Sequence, residues 1–377
     1  MNGRCWRSGL HSVATLWLAK DGEGGMSLRR VGIVFFFLNL LFLIVPCNAQ
    51  QSSVARLGYL SPGDIPPYDN AFLQGLEEQG YILPGEIHRY DAASWQGLLK
   101  RGYFEGKKIR IDFRATGQHF ERAPELATEL IGLNVDVIFA APTLMAKAAQ
   151  EAARKATRPI PIVFAFVLDP VGFGFVSSLA RPGGNLTGVA NVDPEFYAKQ
   201  LEILKETFPR LSRVAVLTNP LWEPDYVKRS QLALEDAALA RSVRLEILEA
   251  NDLEGLEKAF DEIARRRIQA IVVPQSPLLY ANRVRIIDFA AKHRLPAIYG
   301  DALLVEEGGL MFYGASVADL QRRSAAIVAR ILNGAKPADI PVEQPMTYKL
   351  IINLKTARAL GLAIPNEILA RADQVIR

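Results

Sequence analysis

Polar side chains stand at the ends of several apolar strands that the sequence predicts, where they could hydrogen-bond a small ligand. Each follows a run rich in Val, Ile and Leu and carries a hydroxyl, amide, carboxylate or phenol group. They are Ser61, Thr143, Asp169, Asn191, Asn219, Gln275, Tyr299, Asp301 and Tyr313. Because parallel sheets bind ligands beyond the carboxyl ends of their strands, we expect these residues to line a ligand-binding cleft.

The motifs of common enzymes are missing from the sequence. Ser61-Pro62-Gly63-Asp64 follows the first strand in place of a Gly-x-Gly-x-x-Gly run, and neither a phosphate-loop Gly-Lys-Ser/Thr nor a Gly-x-Ser-x-Gly elbow occurs. His88, His119 and His293 are scattered, without the spacing of a metal site. We therefore expect a non-catalytic protein with no metal and no cofactor.

Short β-branched runs alternate with segments of helical periodicity along the chain. The predicted strands are Val54–Leu60, Lys108–Arg114, Val135–Ala140, Ile160–Phe166, Arg213–Thr218, Arg244–Glu249, Ala270–Pro274, Pro296–Tyr299 and Leu310–Tyr313. The segments between them place apolar residues on one helical face, as with Leu253, Leu256, Phe260 and Ile263. This alternation is typical of an α/β fold with doubly wound parallel sheets. The last 60 residues are expected to be mostly helical.

Nine predicted strands are too many for one small open sheet and favour two. The turn-rich run Arg181-Pro182-Gly183-Gly184-Asn185 marks a break between them. We predict two lobes joined by a hinge with several chain crossings. Residues 50–190 with 315–345 form lobe 1, and residues 191–314 with 346–377 form lobe 2. The Pro-rich segment 336–345 is the expected crossing linker.

Residues 1–49 have the order of a secretory signal peptide behind an upstream extension. Arg29 and Arg30 precede the apolar run 31–45, and Pro46-Cys47-Asn48-Ala49 supplies small residues for cleavage after Ala49. The run is shorter than the roughly 20 residues that span a bilayer. We expect Met26 to be the natural start and the protein to be periplasmic. An uncleaved anchor, or a lipid on Cys47, is the alternative.

The formal charge of +4 and the two cysteines belong to the whole chain of 377 residues. Residues 1–49 contain five of the Lys and Arg residues, two of the acidic residues, and both cysteines, Cys5 and Cys47. The rest of the chain is nearly neutral and has no thiol for a disulfide or a metal. The charge therefore gives no indication of a nucleic-acid partner.

Five motifs along the chain are familiar as a set. They are Ser178–Gly188 (SLARPGGNLTG), Leu295–Gly300 (LPAIYG), Gly308–Gly314 (GGLMFYG), Ile352–Gly361 (INLKTARALG) and Leu369–Asp373 (LARAD). Together they resemble the ABC-transporter substrate-binding protein family, in the bacterial branch that includes tryptophan and tyrosine binders. The resemblance covers nearly all of residues 54–377. It implies a type I periplasmic-binding-protein-like fold whose two lobes close over a small organic ligand, such as an amino acid or a related compound.

An amino-acid ligand would need donors for its carboxylate and an acceptor for its ammonium group. The helices expected after Ser61 and Thr143 could offer backbone N–H groups to the carboxylate, although Thr143 could equally be a plain helix cap. Asp169 and Asp301 could accept from the ammonium group. Asp169 before a proline is also a common turn residue, and Asp301 could cap the next helix.

Three amides and two phenols complete the expected site. Asn191, Asn219 and Gln275 stand at comparable strand ends, and the asparagines could either serve a zwitterion or form turns. Tyr299 and Tyr313 could stack on the ligand or belong to the core. The family tends to have a Ser-Gly-Thr-Pro-like turn where this chain has Ala140-Ala141-Pro142-Thr143, so hydroxyl contacts are not expected from its first two positions.

These observations lead to an exported, monomeric solute receptor that binds a small molecule and docks on an ABC permease. The alternative is a periplasmic ligand-sensing receptor partner without a transport role. The sequence does not separate the two, but neighbouring genes would. A permease and an ATPase beside the gene favour transport, and an isolated gene favours sensing.

Overall fold

The chain is described by a computed structural model that covers residues 54–63, 66–84, 100–106, 108–117, 119–190, 195–220 and 224–377. The predicted signal segment 1–49 and the candidate site residue Asn191 lie outside these ranges. None of the helices in the described ranges combines the length and the apolar character that a membrane span requires.

A first sheet forms from the amino-terminal half of the described chain. Its strands are β1 (Ala55–Ser61), β2 (Tyr103–Glu105), β3 (Ile109–Ala115), β4 (Val137–Ala140), β5 (Ile162–Val167) and β6 (Leu186–Ala190). In the described residues the order is β2-β3-β1-β4-β5-β6, and the strands are parallel except for β2, which is antiparallel to β3. The central strand β4 is buried throughout, because helices cover both faces of a parallel sheet.

A second sheet forms from the carboxyl-terminal half. Its strands are β7 (Arg213–Thr218), β8 (Arg244–Glu249), β9 (Ala270–Val273), β10 (Ala297–Tyr299), β11 (Met311–Ala315), β12 (Tyr348–Asn353) and β13 (Gln374–Ile376). Their order in the described chain is β13-β12-β11-β10-β9-β7-β8. Strand β12 is antiparallel to β11, and the strands from β11 to β8 are parallel.

Helices connect the strands and cover both sheets. They are α1 (Pro66–Glu78), α2 (Ala123–Gly132), α3 (Thr143–Arg154), α4 (Phe196–Thr207), α5 (Pro224–Ala240), α6 (Leu253–Arg265), α7 (Pro277–Ala281), α8 (Arg283–Lys292), α9 (Ala302–Glu306), α10 (Val317–Leu332), α11 (Leu354–Leu360) and α12 (Asn366–Arg371). The predicted apolar face of α6 is buried except at Leu253, which is 43% exposed because it is the first residue of the helix. The prediction of two doubly wound α/β lobes is thus confirmed.

The chain passes to the second sheet after β6, returns to the first after β11, and passes to the second again before β12. On its return it forms α10, which packs on α1 and on β4, β5 and β6. The segment after α10 stays with the first sheet, where the Thr187 hydroxyl donates to the Ile340 carbonyl (2.7 Å) and the Glu343 N–H donates to the Gly188 carbonyl (2.9 Å). We call the first sheet with α1, α2, α3 and α10 lobe 1, and the second sheet with its helices lobe 2.

The structure corrects the sequence-based prediction at four strands. β2, β6, β12 and β13 were not predicted, and the expectation of a mostly helical end was wrong where β12 and β13 lie. Strand β6 has Gly188 at its centre, where a Cβ would overlap the Phe164 carbonyl oxygen. Only glycine fits where β5 and β6 approach so closely. A glycine in turn weakens the sequence pattern by which a strand is predicted.

The contact between α1 and α10 generates a stability prediction at Gly75. A Cβ there would lie 2.6 Å from the Ala325 Cβ and 2.7 Å from the Arg322 carbonyl oxygen, so Gly75→Ala must push the two helices apart. We expect it to lower the free energy of unfolding by about 1–3 kcal/mol.

The matched control is Gly132→Ala, in the last turn of α2, where a Cβ would meet no atom within 4 Å. It should leave stability unchanged or raise it by up to about 1 kcal/mol. Urea unfolding followed by circular dichroism measures both variants. Equal midpoints for Gly75→Ala and the parent protein would contradict the tight contact between α1 and α10.

Candidate ligand-binding site

A cavity of about 420 Å³ lies between the lobes, beyond the carboxyl ends of the parallel strands. Its volume is in the range of pockets for small organic molecules. Both lobes contribute to the wall. Lobe 1 provides Tyr59, Ser61, Tyr68, Asp69, Phe120, Phe166 and Gln321, and lobe 2 provides Thr218, Asn219, Tyr226, Ser230, Gln275, Tyr280, Arg283 and Asp301.

On the lobe 1 side, Asp69 stands in the first turn of α1 and is 3% exposed. The Tyr59 phenol, at the end of β1, donates a hydrogen bond to its carboxylate. The Tyr59 ring is fixed among Phe72, Phe113 and Phe139, with ring centroids 4.9–5.3 Å apart. Burial raises the pKa of Tyr59 well above its ordinary value, so the phenol remains a donor to Asp69.

The two lobes meet at Asp301, which is 5% exposed and follows β10. Its carboxylate accepts hydrogen bonds from the Tyr68 phenol on α1 and from the Leu303 N–H at 2.9 Å. Burial raises the pKa of Asp301, and these two hydrogen bonds oppose the rise. Because α1 belongs to lobe 1 and Asp301 to lobe 2, the Tyr68–Asp301 hydrogen bond spans the cleft, and the lobes are in contact.

A second bridge between the lobes lies at Asp169. Its carboxylate pairs with Arg229 on α5 at 2.9 Å and accepts a hydrogen bond from the Gly172 N–H at 2.8 Å. The Arg229 side chain is 46% exposed, so the pair lies near the surface. Asp169 does not form part of the cavity wall, and its charge is already matched by that of the arginine.

Of the candidate site residues, the cavity wall includes Ser61, Asn219, Gln275 and Asp301. Ser61 and Asn219 lie where β1 and β7 end, and Gln275 lies just beyond β9. The Gln275 N–H donates to the Tyr197 phenol oxygen at 3.1 Å. These four residues lie in one cavity wall because the strands that they follow end at the same side of the two sheets.

Three other candidates lie elsewhere. Thr143 begins α3 directly after Ala141 and Pro142, which line the cavity, and it is not itself part of the wall. It is 4% exposed, and its hydroxyl has no hydrogen-bond partner in the described residues. Tyr299 is 1% exposed in the core of lobe 2, where burial raises the pKa of its phenol. Tyr313 stacks on Tyr348, with ring centroids 5.8 Å apart.

Much of the wall is aromatic and was not predicted from the sequence. It includes Tyr68, Phe120, Phe166, Tyr197, Tyr226 and Tyr280. Phe166 has a φ of 59° at an irregularity of the pairing between β5 and β6, a backbone conformation that is costly for a bulky residue and is found at functional sites. The signal available in the sequence was the position of Phe166 at the end of a predicted strand.

Arg283 provides a cation on the lobe 2 side of the wall. Its Nε lies 2.9 Å from a carboxylate oxygen of Glu307, and its guanidinium stands 4.5 Å above the centre of the Tyr280 ring. Burial raises the pKa of Tyr280 to about 12, the charge of Arg283 opposes the rise, and the negative charges of Asp301, Glu307 and Asp69 add to it.

The cavity extends into lobe 2 beneath α5. Val216 on β7, Ile247 on β8 and Leu234 on α5 line this extension, which we call the apolar pouch. Ser230 on α5 lies at its wall, 6% exposed, and its hydroxyl has no hydrogen-bond partner in the described residues. An apolar group of a ligand fits the pouch, and a polar substituent on it could reach the serine.

Two more polar atoms of the wall are buried without a hydrogen-bond partner among the described residues. They are Asn219 Oδ1 from lobe 2 and Gln321 Oε1 from α10. Buried polar atoms without partners are rare in folded proteins and indicate a bound ligand or water. The described residues contain no cluster of three or more His, Cys, Asp or Glu side chains that could hold a metal ion.

Comparison with known proteins places this architecture in a family. A model of the family described as "ABC transporter substrate binding protein" matches residues 92–376. A protein named tyrosine-binding protein from Clostridioides difficile (strain R20291) is 26% identical over 267 residues, which cover 68% of this chain and 72% of that protein.

Solved structures share the two-lobed fold. An ABC domain from Streptococcus pneumoniae in complex with L-Trp superposes with a TM-score of 0.69, at 24% identity over 86% of this chain and 100% of that one. A ligand-free, open substrate-binding protein with adhesive properties from Clostridium difficile superposes with a TM-score of 0.58, at 24% identity over 86% of this chain and 99% of that one. The family model spans most of the chain, and the protein therefore belongs to the ABC transporter substrate-binding protein family.

Proposed function

We propose that the protein binds a small organic ligand, an amino acid or a related compound, between its lobes and delivers it to an ABC permease for uptake. The observation that carries this proposal is the cavity between the strand ends of both lobes, with a carboxylate, Asp301, at their contact. Family members are solute-binding proteins rather than enzymes. The similarity to a tyrosine-binding protein supports an amino-acid-like ligand.

The mechanism follows from the position of the cavity. A ligand that contacts Ser61 in lobe 1 and Asn219 and Gln275 in lobe 2 gains most of its contacts only when the lobes are together. It therefore shifts the hinge equilibrium toward the closed form by its preference for that form. The permease would recognise the closed protein, so that loaded molecules are the ones delivered.

The closed arrangement is supported by two observations. Tyr68 and Asp301 bond across the cleft, and Asp169 and Arg229 form an ion pair across it.

The function is tested by a thermal-shift screen of the purified protein against amino acids, aromatic amines and aromatic acids. A ligand that binds the native state stabilises it by mass action, by about 2.7 kcal/mol at a concentration of 100 times its Kd. We expect a dose-dependent rise in Tm with at least one compound. Turnover of a compound, with no rise in Tm for any, would contradict a solute-binding role.

Periplasmic export is tested by expressing the full-length chain in a Gram-negative host. We expect the protein in the osmotic-shock fraction, with an amino terminus at Gln50, because residues 29–49 have the pattern of a signal peptide. The control is a variant that lacks the apolar run 31–45 and should stay in the cytoplasm. A full-length product that remains in the membrane fraction would indicate an uncleaved anchor instead.

Lobe closure is tested by Tyr68→Phe, which keeps the ring but removes the donor to the buried Asp301 carboxylate. Loss of a hydrogen bond to a buried charged group costs about 1–3 kcal/mol, and opening the cleft would return the carboxylate to water. We expect a larger radius of gyration by small-angle X-ray scattering and a weaker affinity for any compound found in the screen.

The control for this variant is Tyr103→Phe, on the edge strand β2, which removes a phenol that is no part of the cavity wall. It should leave both the radius of gyration and the affinity unchanged. An unchanged radius for Tyr68→Phe would show that the Tyr68–Asp301 bond does not hold the lobes together.

A further inference from the structure

We propose that the cavity selects its ligand by charge: Asp69 and Asp301, one from each lobe, hold the ammonium end of a cationic aromatic or apolar amine, in preference to a zwitterion or an anion. This inference rests on the proposed function and narrows its ligand class. It follows from the positions of the charged groups, the polar atoms without partners, and the composition of the wall.

The two carboxylates belong to the wall of the same cavity, and both are at least 95% buried. Asp69 directly follows Tyr68, whose phenol donates to Asp301, so both carboxylates lie beside the first turn of α1. Asp69 is in the first turn of α1, at the positive end of the helix dipole. Burial raises the pKa of Asp301, and its hydrogen bonds from Tyr68 and Leu303 oppose that rise.

A second observation, independent of the carboxylates, also indicates a donor-rich ligand. Gln321 is 6% exposed, lines the cavity from α10, and its Oε1 has no partner in the described residues. The Asn219 Oδ1 in lobe 2 is in the same situation. An ammonium group has three N–H donors, so it can bond a carboxylate and still satisfy amide oxygens of this kind.

The wall offers little to a carboxylate group. Arg283 is the cationic side chain in the described wall, and its Nε is already paired with Glu307. Asp69 occupies the first turn of α1 and repels a second negative charge. The first turn of α3, which follows the wall residues Ala141 and Pro142, has no acidic residue and can offer backbone N–H groups, but it carries no cationic side chain. A zwitterion would therefore bury its carboxylate without a full counter-charge, which costs binding free energy.

The remaining wall suits the rest of such a ligand. Tyr68 and Tyr280 can place ring faces beside the ammonium group, a favourable cation–π arrangement. The apolar pouch formed by Val216, Leu234 and Ile247 can take an aromatic or branched body. The structure thus combines two buried carboxylates with an apolar pouch.

The experiment uses three probes that share one indole ring and differ only in charged groups. Tryptamine is the cation, L-tryptophan is the zwitterion, and indole-3-propionate is the anion. Isothermal titration calorimetry at neutral pH should give a Kd for tryptamine at least about tenfold lower than that for L-tryptophan, and no binding of indole-3-propionate.

The variants Asp69→Asn and Asp301→Asn should each weaken tryptamine binding by about tenfold or more and reduce its advantage over L-tryptophan. The matched control is Asp288→Asn, on the exposed face of α8, which removes a carboxylate that belongs neither to the cavity wall nor to a contact between the lobes. It should leave the order of the three probes unchanged. Thermal unfolding of each variant checks that the fold is retained. If one of the two aspartate variants does not fold, the other alone tests the charge proposal.

Two results would overturn the charge proposal. One is L-tryptophan binding as tightly as tryptamine or more tightly, and the other is no tryptamine binding at millimolar concentration. In both cases the proposed function stands if L-tryptophan or another compound of the screen binds. Failure of every compound would instead count against the solute-binding function itself.

Discussion

Asp301 is a carboxylate buried at the contact between the lobes, and its hydrogen-bond donors come from both of them. The Leu303 N–H is in the same lobe as Asp301 and remains its donor whether the cleft is open or closed. The Tyr68 phenol is on a helix of the other lobe and can donate to Asp301 only when the lobes are in contact. A buried charge is tolerated only while its hydrogen bonds are made. The burial of this carboxylate and the closed position of the lobes therefore depend on each other, and the cavity between the lobes exists only while both persist.

A ligand can stabilise the closed form without displacing the hydrogen bonds that Asp301 already accepts. A carboxylate has about four lone-pair sites, and the phenol and the backbone N–H engage part of this capacity at Asp301. A ligand donor can therefore join the existing bonds.

The strands could be predicted from the sequence where a run of apolar residues between turns marks them. β7 and β8 have the predicted bounds, because each is a short run rich in Val, Leu and Ile between clear turns. β12 was missed because its only local signal is the short apolar run Leu350–Ile352, which the helix α11 follows almost at once. β6 was missed because close strand packing requires Gly188 at its centre.

The same distinction applies to the site residues. Those at strand ends could be predicted, and those whose position depends on helix packing could not. Ser61, Asn219, Gln275 and Asp301 reach the cavity because topology alone brings strand ends together. Tyr68 and Gln321 stand on helices, and their place in the wall depends on how α1 and α10 pack, which no local pattern specifies. Asp169 had the right position and chemistry, but Arg229, 60 residues later, neutralises it.

The late position of α10 in the chain has a consequence for biosynthesis. Lobe 1 buries Leu320, Ile327 and Val328 of this helix in its core, so a nascent chain that has released only β1 to β6 from the ribosome still lacks one wall of that core. Domains generally fold as units as synthesis proceeds from the amino terminus, yet here lobe 1 is incomplete until α10 has emerged, and lobe 2 is incomplete until β12 and β13 have emerged. Lobe 1 can therefore complete its core only after most of lobe 2 has been synthesised.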